Sequence, residues 1–231
     1  MPSPQTPLFS RRRLIVAALL ALFGVLVAGA LYLNPLSTRA DAAGLTAPTG
    51  KFSRPMLLVS SPELEDPIYG GAVILAAPLD RDRYVGFIIN WPTDIALSDA
   101  YPADRPVPEL HGRLYVGGPY LPQSIFALVR RSRSPAGKSL ELAPGLYAAI
   151  DRTAVDEVIR VNGADARYVV GLIVWPPHEL EHEVDAGSWF VVRADPQFAL
   201  QPSDGSVWDE LVRRAREAAR HASRGAASTG R

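Results

Sequence analysis

Leu14 to Leu33 is an unbroken run of apolar and small residues, about 20 long, directly behind Arg11, Arg12 and Arg13. A helix rises about 1.5 Å per residue, so such a run spans roughly 30 Å, the hydrocarbon thickness of a bilayer. Arginines resist translocation and stay on the cytoplasmic side. The expectation is therefore a single-pass anchor in a bacterial cytoplasmic membrane, with residues 1–13 inside and everything after Leu33 outside. A cleavable export signal is the alternative. Ser10 to Ile15 fits a loose twin-arginine pattern, and Ala40-Asp41-Ala42 offers the small-x-small pair that a signal peptidase needs. Against cleavage, a signal's apolar region is usually about 7 to 15 residues, shorter than the run here.

The chain is neutral overall, but its charge is segregated. Lys51 to Arg214 carries 16 basic and 22 acidic side chains, a net of −6, and the two ends carry the other 8 basic and 2 acidic residues, a net of +6. Phosphate contacts supply most of the affinity for nucleic acid, so an acidic body argues against direct binding of DNA or RNA. No cysteine is present, which removes disulfides and lipid attachment through sulfur.

Asn34 to Gly50 is rich in Ala, Thr, Pro and Gly without an apolar period and reads as a linker. Residues 216–231 are mostly Ala, Ser, Gly and Arg and read as a disordered tail. Residues 51–215 are enough for one domain with one core. Within them, strands are expected at Met56–Ser60, Ala72–Ala77, Tyr84–Asn90, Arg113–Val116, Ser124–Arg130, Leu146–Ile150, Tyr168–Trp175 and Trp189–Val192. A helix capped by Thr153 and stopped at Gly163 is expected over Thr153–Val161, and a closing amphipathic helix over Trp208–Arg216. Strands that follow one another as hairpins, with few helices between, give an α+β domain with a mainly antiparallel or mixed sheet.

One segment has the letters of a catalytic motif. His178-Glu179-Leu180-Glu181-His182 reads H-E-x-x-H. On a helix, His178 and His182 would share a face and hold zinc, with Glu179 as general base. Pro176 and Pro177 before it and Gly187 after it leave about two turns of helix, and nothing marks a third ligand. An acidic helix with two histidines is more often a solvated face. Gly137-Lys138-Ser139 ends like a phosphate loop, but Ser132 stands where its first glycine belongs. Gly117-Gly118-Pro119 offers either a tight turn or an anion nest.

Read in order, several motifs resemble the bacterial YqgE/AlgH family. Asp66-Pro67-Ile68-Tyr69 is similar to its Asp-Pro-x-aromatic, Gly86 to Pro92 to its Gly-x-x-x-Asn-Arg-Pro, and Gly117-Gly118-Pro119 to its Gly-Gly-Pro. Gly171 to Trp175, Leu180, Glu181, Glu183, Trp189 and Ala194-Asp195-Pro196 follow its Trp, Gly-Gln-Leu-Glu-x-Glu, Trp, Ala-Asp-Pro progression. The family's arginine before Pro92 is Trp91 here, and its Gly-Gln pair is His178-Glu179. The resemblance covers Phe52 to Leu200. It implies a compact α+β domain with no established enzymatic activity, no cofactor and no metal signature.

Three functions are therefore weighed. The first is a membrane-tethered, non-catalytic module binding an unknown protein or small molecule, with Asp66, Asn90, Gly117, Gly118, Trp175 and Glu181 as the shared surface that the resemblance implies. The second is a zinc hydrolase using His178, Glu179 and His182. The third is a cytoplasmic transcriptional regulator, which needs the reverse topology.

Overall fold

The computed structural model describes residues 52–80, 83–101, 112–137, 139–201 and 206–229. The chain divides into two units, Met1–Gly44 and Leu45–Arg231, and the first lies wholly outside the described residues, as do the apolar run Leu14 to Leu33, the linker and Ala42. Among the described residues, no helix is long and apolar enough to cross a membrane.

Short, nearly all-apolar runs are the raw material of this domain, and a run apolar at consecutive positions must bury both faces of its strand. β1 (Met56–Ser60), β2 (Val73–Pro78) and β3 (Tyr84–Ile88) do so, forming consecutive antiparallel pairs. β4 (Pro92–Ala96), a one-turn α1 (Leu97–Ala100), β5 (Arg113–Val116) and β6 (Tyr120–Arg130) follow. Next come the β7 (Ser139–Ala143) and β8 (Leu146–Ala149) hairpin and α2 (Arg152–Asn162). The last elements are β9 (Arg167–Trp175), α3 (Glu179–Asp185), β10 (Trp189–Arg193), α4 (Pro196–Leu200) and α5 (Ser206–Thr229). The strands run β10-β1-β2-β3-β9-β6-β8-β7, with β5 attached to β9 and β4 to β5. Pairing is antiparallel except for β5 on β9. The α+β expectation holds.

The sheet curls around a central core that includes Leu57, Leu75, Phe87, Phe126, Leu128, Leu146 and Val169. Alternate residues of the same strands face outward and need separate covers. Over β1, β2, β3 and the end of β9, α3 and the 61–71 loop supply Leu180, Leu64 and Tyr69. Over β5, β6, β8 and the start of β9, the cover is the α2 face of Ala154, Val155, Val158 and Ile159.

β9 joins these two regions, and Gly171 is where they meet. Its first half pairs with β5 (Leu114↔Tyr168 to Val116↔Val170), and its last three residues pair with β3 (Gly86↔Ile173 to Tyr84↔Trp175). Val169 points into the central core before Gly171, and Leu172 and Val174 do so after it, so the side-chain parity changes at this residue. A single left-handed residue achieves that, and Gly171 has φ +75°. The same point is crowded. A Cβ on Gly171 would lie 2.1 Å from the Gly118 carbonyl oxygen, and one on Gly117 would lie 2.2 Å from that of Gly171. Gly117 joins the strands by donating to the Val170 carbonyl (2.7 Å) and accepting from Ile88 N (2.8 Å).

Some boundaries differ from the sequence expectation. α2 starts earlier because Asp151 caps it, its Oδ1 accepting from Ala154 N at 2.9 Å, so Thr153 lies inside the helix. β6 begins at Tyr120, and β4 and β7 are strands the apolar pattern did not reveal. The last helix does not stop at Arg216 but runs to Thr229, into the segment read as a tail. Its alanines and arginines are strong helix formers, and Glu210 pairs with Arg213 and Arg214 along its surface. Trp208 fixes its start, donating from Nε1 to the Ser60 carbonyl and Oγ at 2.9 Å each.

Candidate binding site

α3 carries the last four of the H-E-x-x-H letters, and His182 N donates to the carbonyl of His178 at its start (3.1 Å). His178 stands before the first helical turn with φ 68°, a left-handed conformation, and both His178 and His182 are exposed. The face turned to the protein presents Leu180 and Val184 to the outer core. Among the described residues, no group of three His, Cys, Asp or Glu side chains is placed to hold a metal ion.

The carboxylates of α3 are used inward. Glu183 Oε2 accepts from Trp175 Nε1 (3.0 Å) and Trp189 Nε1 (2.7 Å), satisfying two indoles whose residues are 3% and 5% exposed. Glu181 Oε1 accepts from the hydroxyl of buried Tyr84 at 2.9 Å. Trp175 lies over Gly86, where a Cβ would meet its ring at 2.7 Å. Tyr69 stands edge-on to Trp189, centroids 5.9 Å apart. Burial, then the charges of Glu183, Asp66 and Glu179, push the Tyr69 hydroxyl up to about 12.

The remaining residues of the expected surface also hold backbone. Asp66 Oδ1 accepts from Ile68 N and Tyr69 N at 2.7 and 2.8 Å, closing the turn that delivers Tyr69. Asn90 is buried and bridges two strands' ends, accepting from Val73 N and donating to the Gly71 carbonyl, each at 2.8 Å. Asp66, Asn90, Trp175 and Glu181 thus belong to one outer layer, while Gly117 and Gly118 sit buried at the β5–β9 junction. Glu183 is the residue that ties both tryptophans. Another inward cation was not anticipated. Arg167, 5% exposed, donates to the Ile89 and Gln201 carbonyls and lies 4.4 Å from the Tyr115 ring centroid, and burial lowers its pKa.

An open concave feature lies elsewhere. Phe52 to Met56, Val191 to Ala194, Ala143 and Pro144 line a groove of about 780 Å³. Val191 is 41% exposed there. Arg54 and Arg193 stand exposed on its rim with no side-chain hydrogen bond or ion pair among the described residues, and none of its described lining residues is acidic. β10 and β7, the two ends of the strand order, both contribute to its walls. Sequence reasoning passed over these residues because lone arginines and valines carry no motif.

Residues 57–220 match a family model described as AlgH-like, DUF179. A UPF0301 protein of Streptomyces avermitilis is 30% identical over 167 residues, covering 69% of this chain and 85% of that one. One from Rhodococcus opacus is 29% identical, covering 73% and 86%. Among solved structures, a protein from Corynebacterium diphtheriae aligns with a TM-score of 0.56 at 26% identity, covering 74% of this chain and 88% of that one. The solution structure of the AlgH protein from Pseudomonas aeruginosa aligns with a TM-score of 0.59 at 21% identity, covering 74% and 92%, a likeness of fold.

Proposed function

Since the chain belongs to the AlgH-like family, whose biochemical function is not established, we propose that it is a non-catalytic binding module and that its ligand enters the groove lined by Val191, Arg54 and Arg193. One observation carries this reading. Asp66 and Asn90 spend their hydrogen bonds on backbone, Glu183 on two indoles and Glu181 Oε1 on the Tyr84 hydroxyl, with Glu181 Oε2 buried, whereas the groove offers apolar surface and two exposed cations whose side chains have no partner among the described residues. Pockets with this mix of apolar wall and a few polar groups are the usual form of a ligand site. In the same proposal, the apolar run Leu14 to Leu33 tethers the domain to the cytoplasmic membrane with the domain outside. The support is its length and the three arginines before it.

The test is elemental analysis and hydrolase assay of the purified full chain beside a His178→Ala, His182→Ala double variant and Glu179→Gln. A binding module gives no stoichiometric zinc and no turnover in any of them. Zinc lost in the double variant, with hydrolysis lost in Glu179→Gln, would overturn the proposal in favour of a hydrolase. A reporter joined after Arg231 reads the topology, and activity restricted to the cytoplasm would overturn the tether.

A further inference from the structure

We infer that the groove takes an extended peptide segment carrying carboxylates, which adds as a strand to β10. This rests on the proposed binding role and names the ligand's chemistry.

A curled sheet that does not close leaves two edges, and here the strand order ends at β10 and β7. Among the described residues, β10 pairs with β1 alone and β7 with β8 alone. Val191 to Arg193 and Ala143, from these two end strands, face the same groove. An unpaired edge presents backbone donors and acceptors in a row and is a template for another strand. β10 is five residues long, enough at about 3.3 Å per residue to pair with a segment of roughly four.

Side-chain character narrows the occupant. A paired strand alternates its side chains between two faces. One set would lie on the side of Val192, which packs on the central core, and the other on the outer face that Val191 and Arg193 share, within reach of Arg54 and Arg193. In a body with net charge −6, two exposed arginines whose side chains have no partner among the described residues, in a groove whose described lining holds no acid, favour carboxylates. The same charges repel the β10 edge of a second copy, so the groove selects against self-pairing. The ligand is thus a strand alternating apolar and acidic residues.

Fluorescence polarisation tests this with the full chain in detergent and a labelled octapeptide alternating valine and glutamate, capped at both ends. Controls are the same peptide with lysine for glutamate, and one N-methylated at alternate amides. Saturable binding of the glutamate peptide is expected, roughly tenfold weaker for an Arg54→Glu, Arg193→Glu variant. Both control peptides should fail, and hydrogen exchange should slow in β10 when the glutamate peptide binds. Equal binding of the lysine peptide, or an unaffected variant, would overturn the inference. So would absent binding with β10 already protected in the free chain, which would assign the groove to this chain's own residues 45–51. If cellular partners still crosslink at Val191 while the peptide does not bind, the ligand class falls and the binding role stands.

Discussion

Replacing Gly171 by alanine should destabilise the domain more than any surface substitution, and the structure gives the size. At φ +75° a Cβ costs about 1–2 kcal/mol in backbone conformation alone. That Cβ would also stand 2.1 Å from the Gly118 carbonyl oxygen and 3.1 Å from that of Tyr120, in a buried junction where three backbone segments meet. Forcing them apart adds a further ~1–3 kcal/mol. The total, about 2–5 kcal/mol, is a large part of the 5–15 kcal/mol typical of a domain. Urea unfolding followed by tryptophan fluorescence measures it. With a slope of about 2 kcal/mol per molar, the midpoint should fall by roughly 1–2.5 M. Gly187→Ala is the control, because Gly187 has φ +82° but nothing within 4 Å of an added Cβ. It should show only the conformational part. If the two variants shift the midpoint equally, the close approach at Gly171 contributes nothing, and the explanation of the β9 branch is wrong.

Other substitutions probe α3 and its tryptophans. Glu183→Ala strips the acceptor from two buried indoles, and at about 1–3 kcal/mol for each orphaned donor it should cost about 2–6 kcal/mol, whereas Glu183→Gln keeps an acceptor and should lose much less in the same urea titration. His178→Gly relieves a left-handed residue at an exposed position and should raise stability by about 1 kcal/mol, read from the thermal midpoint; a fall would contradict the strain assigned to His178. Tyr69 should titrate near 12 by absorbance, above the free phenol. Since its pKa is raised on folding, the unfolded chain releases this proton first. The stability it contributes is complete below pH 10 and declines as pH rises from 10 toward 12. Tyr69→Phe should flatten that decline, and an unchanged slope would show that the half-buried hydroxyl does not titrate as described.

Much of the sheet is legible in the sequence because its strands bury both faces. Met56–Ser60 and Arg113–Val116 are bounded as expected, and the β9 run is off by one residue. β4 escapes because Pro92, Thr93, Asp94 and Ala96 carry no apolar period, and only its pairing with β5 makes it a strand. β7 escapes because Leu140 and Leu142 are too few to stand out. The last helix is legible over Trp208–Arg216, but its continuation to Thr229 escapes because alanine and arginine favour helix without large apolar side chains to mark it. The expected surface is legible as a set of residue types, but its hydrogen bonds are not. A sequence pattern records that Asp66, Asn90 and Glu183 are polar. It does not record that each faces a backbone amide or an indole that would otherwise be buried unpaired. The H-E-x-x-H motif presumes a helix through both histidines, whereas the chain enters α3 through a left-handed residue at His178, which the letters do not record. The groove is invisible at that level because its residues are brought together only by the curl of the sheet.

Site-specific photo-crosslinking in living cells separates the groove from α3 most directly. A photoreactive phenylalanine derivative is placed in the full chain at position 191, in the groove, or at position 182, on the exposed side of α3. A discrete crosslinked adduct from position 191, absent from position 182 and lost when Arg54 and Arg193 are both changed to glutamate, is the expected result. Adducts from position 182 with none from position 191 would move the working surface to α3 and contradict the role assigned to the groove.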